Sequence, residues 1–263
     1  MTLPPLLFAL LMWFMGTAAV VWLCSRPHAT FGRALALAGL VALGAVGAVW
    51  ATADDASVGG AYISFAAAIT IWGWHEMSFL MGHVAGPNRG ECPAGATGWA
   101  RFRAATATVI HHELAIAATL IAMVALTWGQ PNAIAPLTFG LLFAMRLSAK
   151  FNLYLGVPNL SDEVFPAHLA HLKSYFRTAP MNWLFPLSIA GGVGAAIMAW
   201  RAAELSTGGP AAGMTLLAGL AVLGVTEHLF LVLPLRDGRL FAWALHGNKA
   251  VRAAGIEFDG RRR

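Results

Sequence analysis

Long apolar runs, separated by short polar or Gly/Pro connections, dominate the pattern along the chain. Each run is continuous and about 20 residues long, the length that a helix needs to cross a hydrocarbon layer of roughly 30 Å. A membrane β-barrel would instead show alternating stretches of about ten residues. The pattern predicts an all-α, polytopic helical membrane bundle of about seven spans, forming a single integral membrane domain over residues 1–263. The predicted spans are Leu3–Cys24, Phe31–Ala51, Gly60–Val84, Ala104–Trp128, Ala133–Val157, Asn182–Trp200 and Ala211–Leu233.

The composition supports a membrane protein and argues against nucleic-acid binding. The chain is 58% hydrophobic and 11% charged, whereas soluble domains are roughly 45–50% apolar and about 25% charged. The net charge is +5, but the basic residues lie at the edges of the apolar runs and form no patch with interleaved aromatic residues. The lipid bilayer is therefore the first expected partner, and nucleic acid is not expected.

The distribution of basic residues predicts the orientation of the spans, because cytoplasmic loops hold an excess of Lys and Arg. With the N-terminus outside, sixteen of the 17 Lys and Arg residues fall on the cytoplasmic side, counting Arg146 and Lys150 late in the fifth span and those of a basic C-terminal tail, 236–263. Only Arg201 falls outside, together with the acidic pair Asp54 and Asp55. Cys24 and Cys92 both lie on the reducing side, so no disulfide is expected.

Ionisable residues inside the spans are the informative feature, since each costs roughly 2.5–3.5 kcal/mol on the lenient insertion scale. Three carboxylates, Glu76, Glu113 and Glu227, belong to three different spans and fall at similar depth in the inner half of the bilayer. Each has a histidine beside it in sequence. The candidate metal-ligating set is His75, Glu76, His83, His111, His112, Glu113, Glu227 and His228.

Three carboxylates at one depth require neutralisation. Arg146 and Lys150, one turn apart on the fifth span, would supply two positive charges; protonation or a bound Fe, Mn or Zn ion are the alternatives. The match to di-iron bundles is partial, because the motifs here are adjacent His-Glu pairs rather than Glu-x-x-His. Glu76 and His83, seven residues apart, are expected to share a helix face. The simpler interpretation is interhelical hydrogen bonding, worth about 1 kcal/mol per contact.

A short amphipathic helix is predicted at about 165–176 on the cytoplasmic face, with Ser161 or Asp162 as its N-cap. On an α-helix, His168, His171 and Tyr175 fall at i, i+3 and i+7. The helix is expected to cover the intramembrane residues, and its three polar side chains, with Arg146 and Lys150, form the predicted cofactor-binding set. Alternatively it is a surface helix whose Leu169, Leu172 and Phe176 dip into lipid.

Four segments together resemble the PuhE-type photosynthetic complex assembly proteins of phototrophic bacteria. They are Trp72–Gly82, His111–Leu114, Asn152–Glu163 and His168–Phe176. The resemblance covers nearly the whole chain, and it implies a multi-pass protein of the bacterial inner, intracytoplasmic membrane. It also implies reaction-centre or antenna polypeptides and their pigments as partners, and a role in building the reaction centre and its core antenna. It assigns no reaction and no catalytic residue.

Two functions of different class remain open. In the first, the protein is an assembly factor whose His/Glu cluster binds metal or bacteriochlorophyll and whose Arg146 and Lys150 meet a carboxylate on a pigment or partner helix. In the second, it is a di-metal, di-iron type oxygenase or hydroxylase acting on a pigment or lipid precursor. Metal analysis separates them, because the enzyme would hold about two transition-metal ions per chain and the assembly factor bound tetrapyrrole with none.

Overall fold

A computed structural model describes residues 3–160 and 166–233, apart from the side chain of Ala167. The predicted cap residues Ser161 and Asp162 and the predicted basic tail 236–263 lie outside the described residues. The described part of the chain is helical and contains no β-strand, although Val157 and Thr178 form an isolated β-bridge. This agrees with the predicted all-α class.

Seven α-helices follow one another along the described chain. They are α1 (Leu3–Cys24), α2 (Phe31–Ala51), α3 (Val58–Leu80), α4 (Gly98–Leu126), α5 (Ile134–Leu155), α6 (Leu184–Glu204) and α7 (Gly208–Phe230). Two 3₁₀ helices connect them: one at His28–Thr30, and a second at Ala167–Tyr175, called here the cap helix.

Six of these helices, all except α3, are long and apolar enough to cross a membrane. α3 has 23 residues, which is sufficient length, but Trp74, His75 and Glu76 lower its hydropathy. It packs against α1, α2, α4, α5 and α7, and its buried residues run along most of its length. The one described α-helix outside this set of six is therefore surrounded by members of the set, as expected when polar groups are kept from lipid.

The helix ends differ from the predicted spans most clearly around α3 and α4. α3 ends at Leu80 rather than at Val84, and Gly82 then adopts a φ of +78° that suits glycine and turns the chain back. The shared helix face predicted for Glu76 and His83 is therefore wrong. His83 lies beyond the helix end with an exposed side chain, and its backbone N–H donates to Ser78 O at 2.9 Å.

Two apolar clusters form most of the core. One joins Ala68 of α3 to Ile116 of α4 and Phe139 of α5. The other joins Phe65 of α3 to Ala9 of α1 and Leu216 of α7. Because α3 contributes to both clusters, residues farther along the same helix are held in fixed positions relative to α4 and α5.

The end of the bundle opposite the charged residues is fixed by buried Asn132. Its amide Nδ2 donates to Thr52 O at 2.9 Å and to Ser64 Oγ at 2.9 Å. Nearby, the carboxylate of Asp55 accepts the Ser57 backbone N–H, which lowers the pKa of that carboxyl. These contacts anchor the starts of α3 and α5 to the loop after α2.

The connection between α3 and α4 lies directly on the backbone of α4. The Asn88 N–H donates to Ala107 O at 3.0 Å, and the His112 N–H donates to Ala85 O at 2.9 Å. Gly86 lies between these contacts, where an added Cβ would be 2.1 Å from Ala107 O and 2.6 Å from Thr108 C. Only glycine permits this approach, so Gly86 positions the segment of α4 that carries His112.

We expect Gly86→Ala to lower the free energy of unfolding by about 1–3 kcal/mol, because the methyl group meets backbone rather than a movable side chain. Thermal unfolding in detergent measures the change. Gly47→Ala is the matched control: its Cβ would meet nothing within 4 Å, and alanine is the better helix former by about 1 kcal/mol. Equal melting temperatures for Gly86→Ala and the parent would contradict the close packing of the loop.

Candidate functional site

α5 organises the polar interior because it carries two polar stripes on different faces. Arg146 and Lys150, one turn apart, bond to α3 and α4. Ser148 and Asn152, also one turn apart, bond to α6, and Ser148 contacts α7 as well. The two stripes are offset by two residues, which is about 200° around a helix. The charged side chains therefore face one way and the neutral ones the other.

The first ion pair joins α5 to α3. Arg146 Nη2 donates to Glu76 Oε2 at 3.2 Å. Only 11% of the Glu76 side chain is accessible, whereas 40% of the Arg146 side chain is. The carboxylate is therefore enclosed, and its guanidinium partner lies at the edge of the enclosure.

The second ion pair joins α5 to α4. Lys150 Nζ donates to Glu113 Oε1, and the same ammonium lies 5.4 Å from the centroid of the Phe79 ring. Opposite charges stabilise one another in a low-dielectric interior, provided that both are held close. Of the three expected ways to neutralise Glu76 and Glu113, the structure therefore shows the cations of α5.

His112 lies beside the two ion pairs. Its side chain is fully buried, and its ring is 4.7 Å from that of Phe79, centroid to centroid, at a 31° tilt. Its Nε2 atom is 4.0 Å from Glu76 Oε1, too far for a hydrogen bond. We call His112 and the four paired residues, Glu76, Glu113, Arg146 and Lys150, the charge cluster.

Several polar atoms of the charge cluster have no hydrogen-bond partner among the described residues, although all are buried. They are Glu76 Oε1, Glu113 Oε2, Arg146 Nε and both ring nitrogens of His112. Buried polar atoms are nearly always paired in native proteins, and an exception calls for a water, an ion or a ligand. The charge cluster therefore has capacity to hydrogen-bond a further group.

The charge cluster is most accessible at Arg146. This residue is 12 positions into α5, or about 18 Å along the helix, and α5 is one of the six helices suited to cross a membrane. The Arg146 side chain is 40% accessible, although its Nε atom is buried, and a charge at this depth is costly unless something polar meets it.

His75 and His228 form their hydrogen bonds outside the charge cluster. The His75 Nε2–H donates at 2.9 Å to Thr119 Oγ1, whose own proton goes to Ala115 O. His228 contacts Ser148 Oγ at 3.0 Å through Nε2 and Gly224 O at 2.9 Å through Nδ1. Because a carbonyl oxygen only accepts, we assign a proton to Nδ1 of His228.

Glu227 and His111 also lie outside the charge cluster. Trp13 Nε1 donates to Glu227 Oε1 at 2.9 Å, and the charge of this carboxylate also acts on Arg146. His111, next to buried His112, has an exposed side chain. Within residues 3–160 and 166–233, no three His, Cys, Asp or Glu side chains form a group able to hold a metal ion. The assignment of a metal to the eight predicted residues stays a prediction.

The cap helix buries every third residue, whereas the predicted α-helix would bury residues three and four positions apart. Leu169, Leu172 and Tyr175 are buried, since a 3₁₀ helix has three residues per turn. The two leucines pack on Phe79 and Ala85 rather than in lipid. The predicted alignment of Tyr175 with the two cap-helix histidines is therefore wrong, whereas the cap helix does cover the ends of α3 and α4.

The polar side chains of the cap helix bond to neighbouring backbone. His168 Nε2 donates to Leu80 O at 2.8 Å and so caps the end of α3. Tyr175 Oη donates to Gly90 O at 3.2 Å and accepts from Asn88 Nδ2 at 2.9 Å. Burial lowers the pKa of His168, and likewise that of His171, so both rings are neutral at pH 7.

Arg101 is an anchoring residue that the sequence identified only as a basic residue of the cytoplasmic side. Its Nη2 donates to Tyr175 O at 2.6 Å and to Tyr154 O at 3.2 Å, and its guanidinium stacks on the Tyr154 ring at 4.1 Å. It thereby joins the end of α5 to the cap helix. No pattern in the sequence distinguishes it from neighbouring Arg103.

Comparison with known proteins gives a family but no activity. A family model described as "Protein of unknown function (DUF3623)" matches residues 1–252. A Rhodobacter capsulatus protein named "Uncharacterized 30.4 kDa protein in puhA 5'region" is 41% identical over 246 residues, which is 91% of this chain and 89% of the relative. No solved structure matches significantly. With its match spanning α1 to α7, the chain belongs to the DUF3623 family.

Proposed function

We propose that this protein is an inner-membrane factor for assembly of the photosynthetic reaction centre and its core antenna, with the charge cluster as its working site. The observation that carries the proposal is the 41% identical relative, whose name places it in the 5' region of puhA, a photosynthesis gene region. The similarity extends over 91% of the chain, so it includes the helices that supply the charge cluster. The resemblance of four sequence segments to PuhE-type proteins supports the same role.

The proposal includes seven spans, with a periplasmic N-terminus and a cytoplasmic C-terminus. α3 is the seventh span in addition to the six apolar helices. Its position among five other helices supports this, because a helix shielded on most sides tolerates polar residues. The orientation rests on the sixteen of 17 basic residues that then fall inside.

Reporter fusions test this topology. We expect a periplasmic reporter to be active after Asp55 and inactive after Arg101 or at Arg263, with a cytoplasmic reporter giving the opposite pattern. Arg201, the one basic residue expected outside, gives a further periplasmic position. A C-terminus that reports as periplasmic would contradict the span count and the placement of the charge cluster in the inner half of the bilayer.

The charge cluster is the proposed working site because packing alone does not account for it. Replacing a buried ion pair by apolar residues is often neutral or stabilising, so two ion pairs within a membrane are an expensive way to hold α3, α4 and α5 together. The ion pairs neutralise Glu76 and Glu113 through protein side chains. In the proposed role, a polar group of a pigment or partner helix meets the charge cluster at Arg146.

Deleting the protein in a phototrophic host tests the proposed role. We expect the amount of assembled reaction centre and core antenna to fall, with respiratory growth nearly unchanged, because the role concerns only the photosynthetic complexes. Membrane absorption spectra and the growth rate of the same strain in the dark with oxygen measure the two quantities. Unchanged complex levels under phototrophic conditions would contradict the proposal.

A further inference from the structure

Three separate parts of the chain meet at the end of α3 and bring basic side chains together. His28 comes from the connection between α1 and α2, Arg89 from the connection between α3 and α4, and His168 and His171 from the cap helix. We call these four residues the basic patch. His28, Arg89 and His168 are exposed, and His171 is half-buried. None of the four belongs to the charge cluster, so the proposed function does not use them.

The basic patch is held together by contacts to the end of α3. Arg89 Nη2 donates to Gly82 O at 3.1 Å, and His168 Nε2 donates to Leu80 O at 2.8 Å. A Cβ added at Gly82 would be 3.3 Å from His168 Nε2 and 3.8 Å from Arg89 Nη1, so these two nitrogens are close neighbours. The rings of His28 and His168 are 6.3 Å apart, centroid to centroid. One small ligand is therefore able to contact side chains from all three parts of the chain.

The basic patch has no negative charge to balance it. Among residues 3–160 and 166–233, no carboxylate forms an ion pair with any of its four members. Burial lowers the pKa of His168, and the nearby His28 and Arg89 lower it further. Burial also lowers the pKa of His171, with Arg89 and His168 adding to the effect. Because basic groups gathered without a counter-charge repel one another, this arrangement favours an anionic ligand.

Residues next to His28 indicate the depth of the basic patch relative to the bilayer. The Arg26 guanidinium stacks over the Trp22 ring at 3.8 Å, and Trp22 is 45% exposed in the last turn of α1. Tryptophan and arginine are typical of the boundary between hydrocarbon and water. Anionic phospholipids present their phosphate groups at this boundary and attract basic residues there.

We propose that the basic patch binds a phosphate group, with Arg89 as the charged donor and the three histidines around it. Arginine pairs with phosphate through two parallel N–H groups, and Nη2 is the only Arg89 nitrogen with a hydrogen bond among the described residues. The same phosphate chemistry is offered by a membrane phospholipid and by soluble phosphate, and the experiment distinguishes the two sources. The inference goes beyond the proposed function and does not depend on the charge cluster.

Native mass spectrometry of the purified full-length protein tests this inference. The probe is dioctanoyl phosphatidylglycerol, whose phosphate keeps one negative charge between pH 6 and pH 8. The comparison lipid is dioctanoylglycerol, which has the same acyl chains and no phosphate. We expect a saturable one-to-one complex with the first lipid and none with the second. If equimolar inorganic phosphate displaces the lipid, soluble phosphate is the source; if the lipid complex persists, the source is the phospholipid.

Variants locate the binding. Arg89→Gln removes the charged donor, so we expect about tenfold weaker binding of the phospholipid. His28→Gln changes an exposed side chain; it is expected to weaken binding about threefold and serves if Arg89→Gln fails to fold. Arg177→Gln is the matched control, because Arg177 is exposed and its backbone N–H donates to Leu153 O at the end of α5. This control should bind the phospholipid as the parent does.

Binding should also be tighter at pH 6 than at pH 8. A bound anion raises the pKa of the neighbouring His168 and His171, so binding is accompanied by proton uptake and is favoured as the pH falls. Equal binding by the parent, Arg89→Gln and His28→Gln, or binding that does not change with pH, would overturn the inference. Such a result leaves the proposed role in assembly intact, because complex levels in a deletion strain test that role separately.

Discussion

Replacing Arg146 with methionine is expected to destabilise the membrane-embedded fold by about 3–5 kcal/mol, the usual cost of leaving a buried charge without its partner. Arg146 Nη2 is the only cationic donor shown to bond to Glu76 among the described residues, and that carboxylate is 11% accessible. The free energy of unfolding in bicelles, measured by denaturant titration, reports the change.

Two further variants make this test specific. Arg201→Met breaks an exposed pair with Glu204 at the end of α6 and is expected to cost about 1 kcal/mol or less. Glu76→Gln combined with Arg146→Met removes both charges and should recover most of the stability that the single change loses. If Arg146→Met proves as mild as Arg201→Met, the ion pair is not buried as described.

Glu76→Gln and Glu113→Gln are expected to abolish complex assembly while the protein still inserts into the membrane at near-normal levels. Glutamine keeps the shape and the hydrogen bonding of glutamate but removes the charge. In Glu76→Gln, the Arg146 side chain left without its partner is 40% accessible, whereas the Glu76 side chain left by Arg146→Met is 11% accessible, so the first loss is the less costly one. Complex levels in a complemented deletion strain and immunoblots of its membranes measure the two effects.

The control for these variants is Glu204→Gln, which makes the same change at an exposed position on α6. It should support full assembly. If the residues of the charge cluster only packed the bundle, each Gln change would cost about 1 kcal/mol or less and complex levels would stay near those of the parent. Full assembly in strains that carry Glu76→Gln or Glu113→Gln would contradict the proposal that the charge cluster is the working site.

The sequence was sufficient to predict the helices and to identify Arg146 and Lys150 as one of three ways to neutralise Glu76 and Glu113. Apolar runs of spanning length are a strong signal because the bilayer fixes that length. Arg146 and Lys150 were identifiable because a one-turn spacing puts both on the same face of one helix. Their partners on α3 and α4 are the residues whose depth in the membrane matches.

The sequence did not predict contacts that depend on local chain reversals or on the arrangement of helices around the bundle. His83 was placed on α3 because the turn at Gly82 has no apolar signature. Tyr175 was assigned to the wrong face because the cap helix has a period of three residues instead of 3.6. The partners of His75 and His228 are hydroxyl groups on other helices, and hydrophobic periodicity carries no information about which helices are neighbours.

The most direct test of the central claim, that the charge cluster acts in assembly rather than in folding, uses the double variant Glu76→Gln/Arg146→Met in the deletion strain. This variant removes an ion pair without stranding either charge, so the protein should remain folded. The quantity to measure is assembled reaction centre and core antenna per unit of this protein in the membrane. We predict that the double variant accumulates in the membrane to the wild-type amount. We also predict that the level of assembled complexes is as low as in the deletion strain. Wild-type complex levels supported by the double variant would contradict the account.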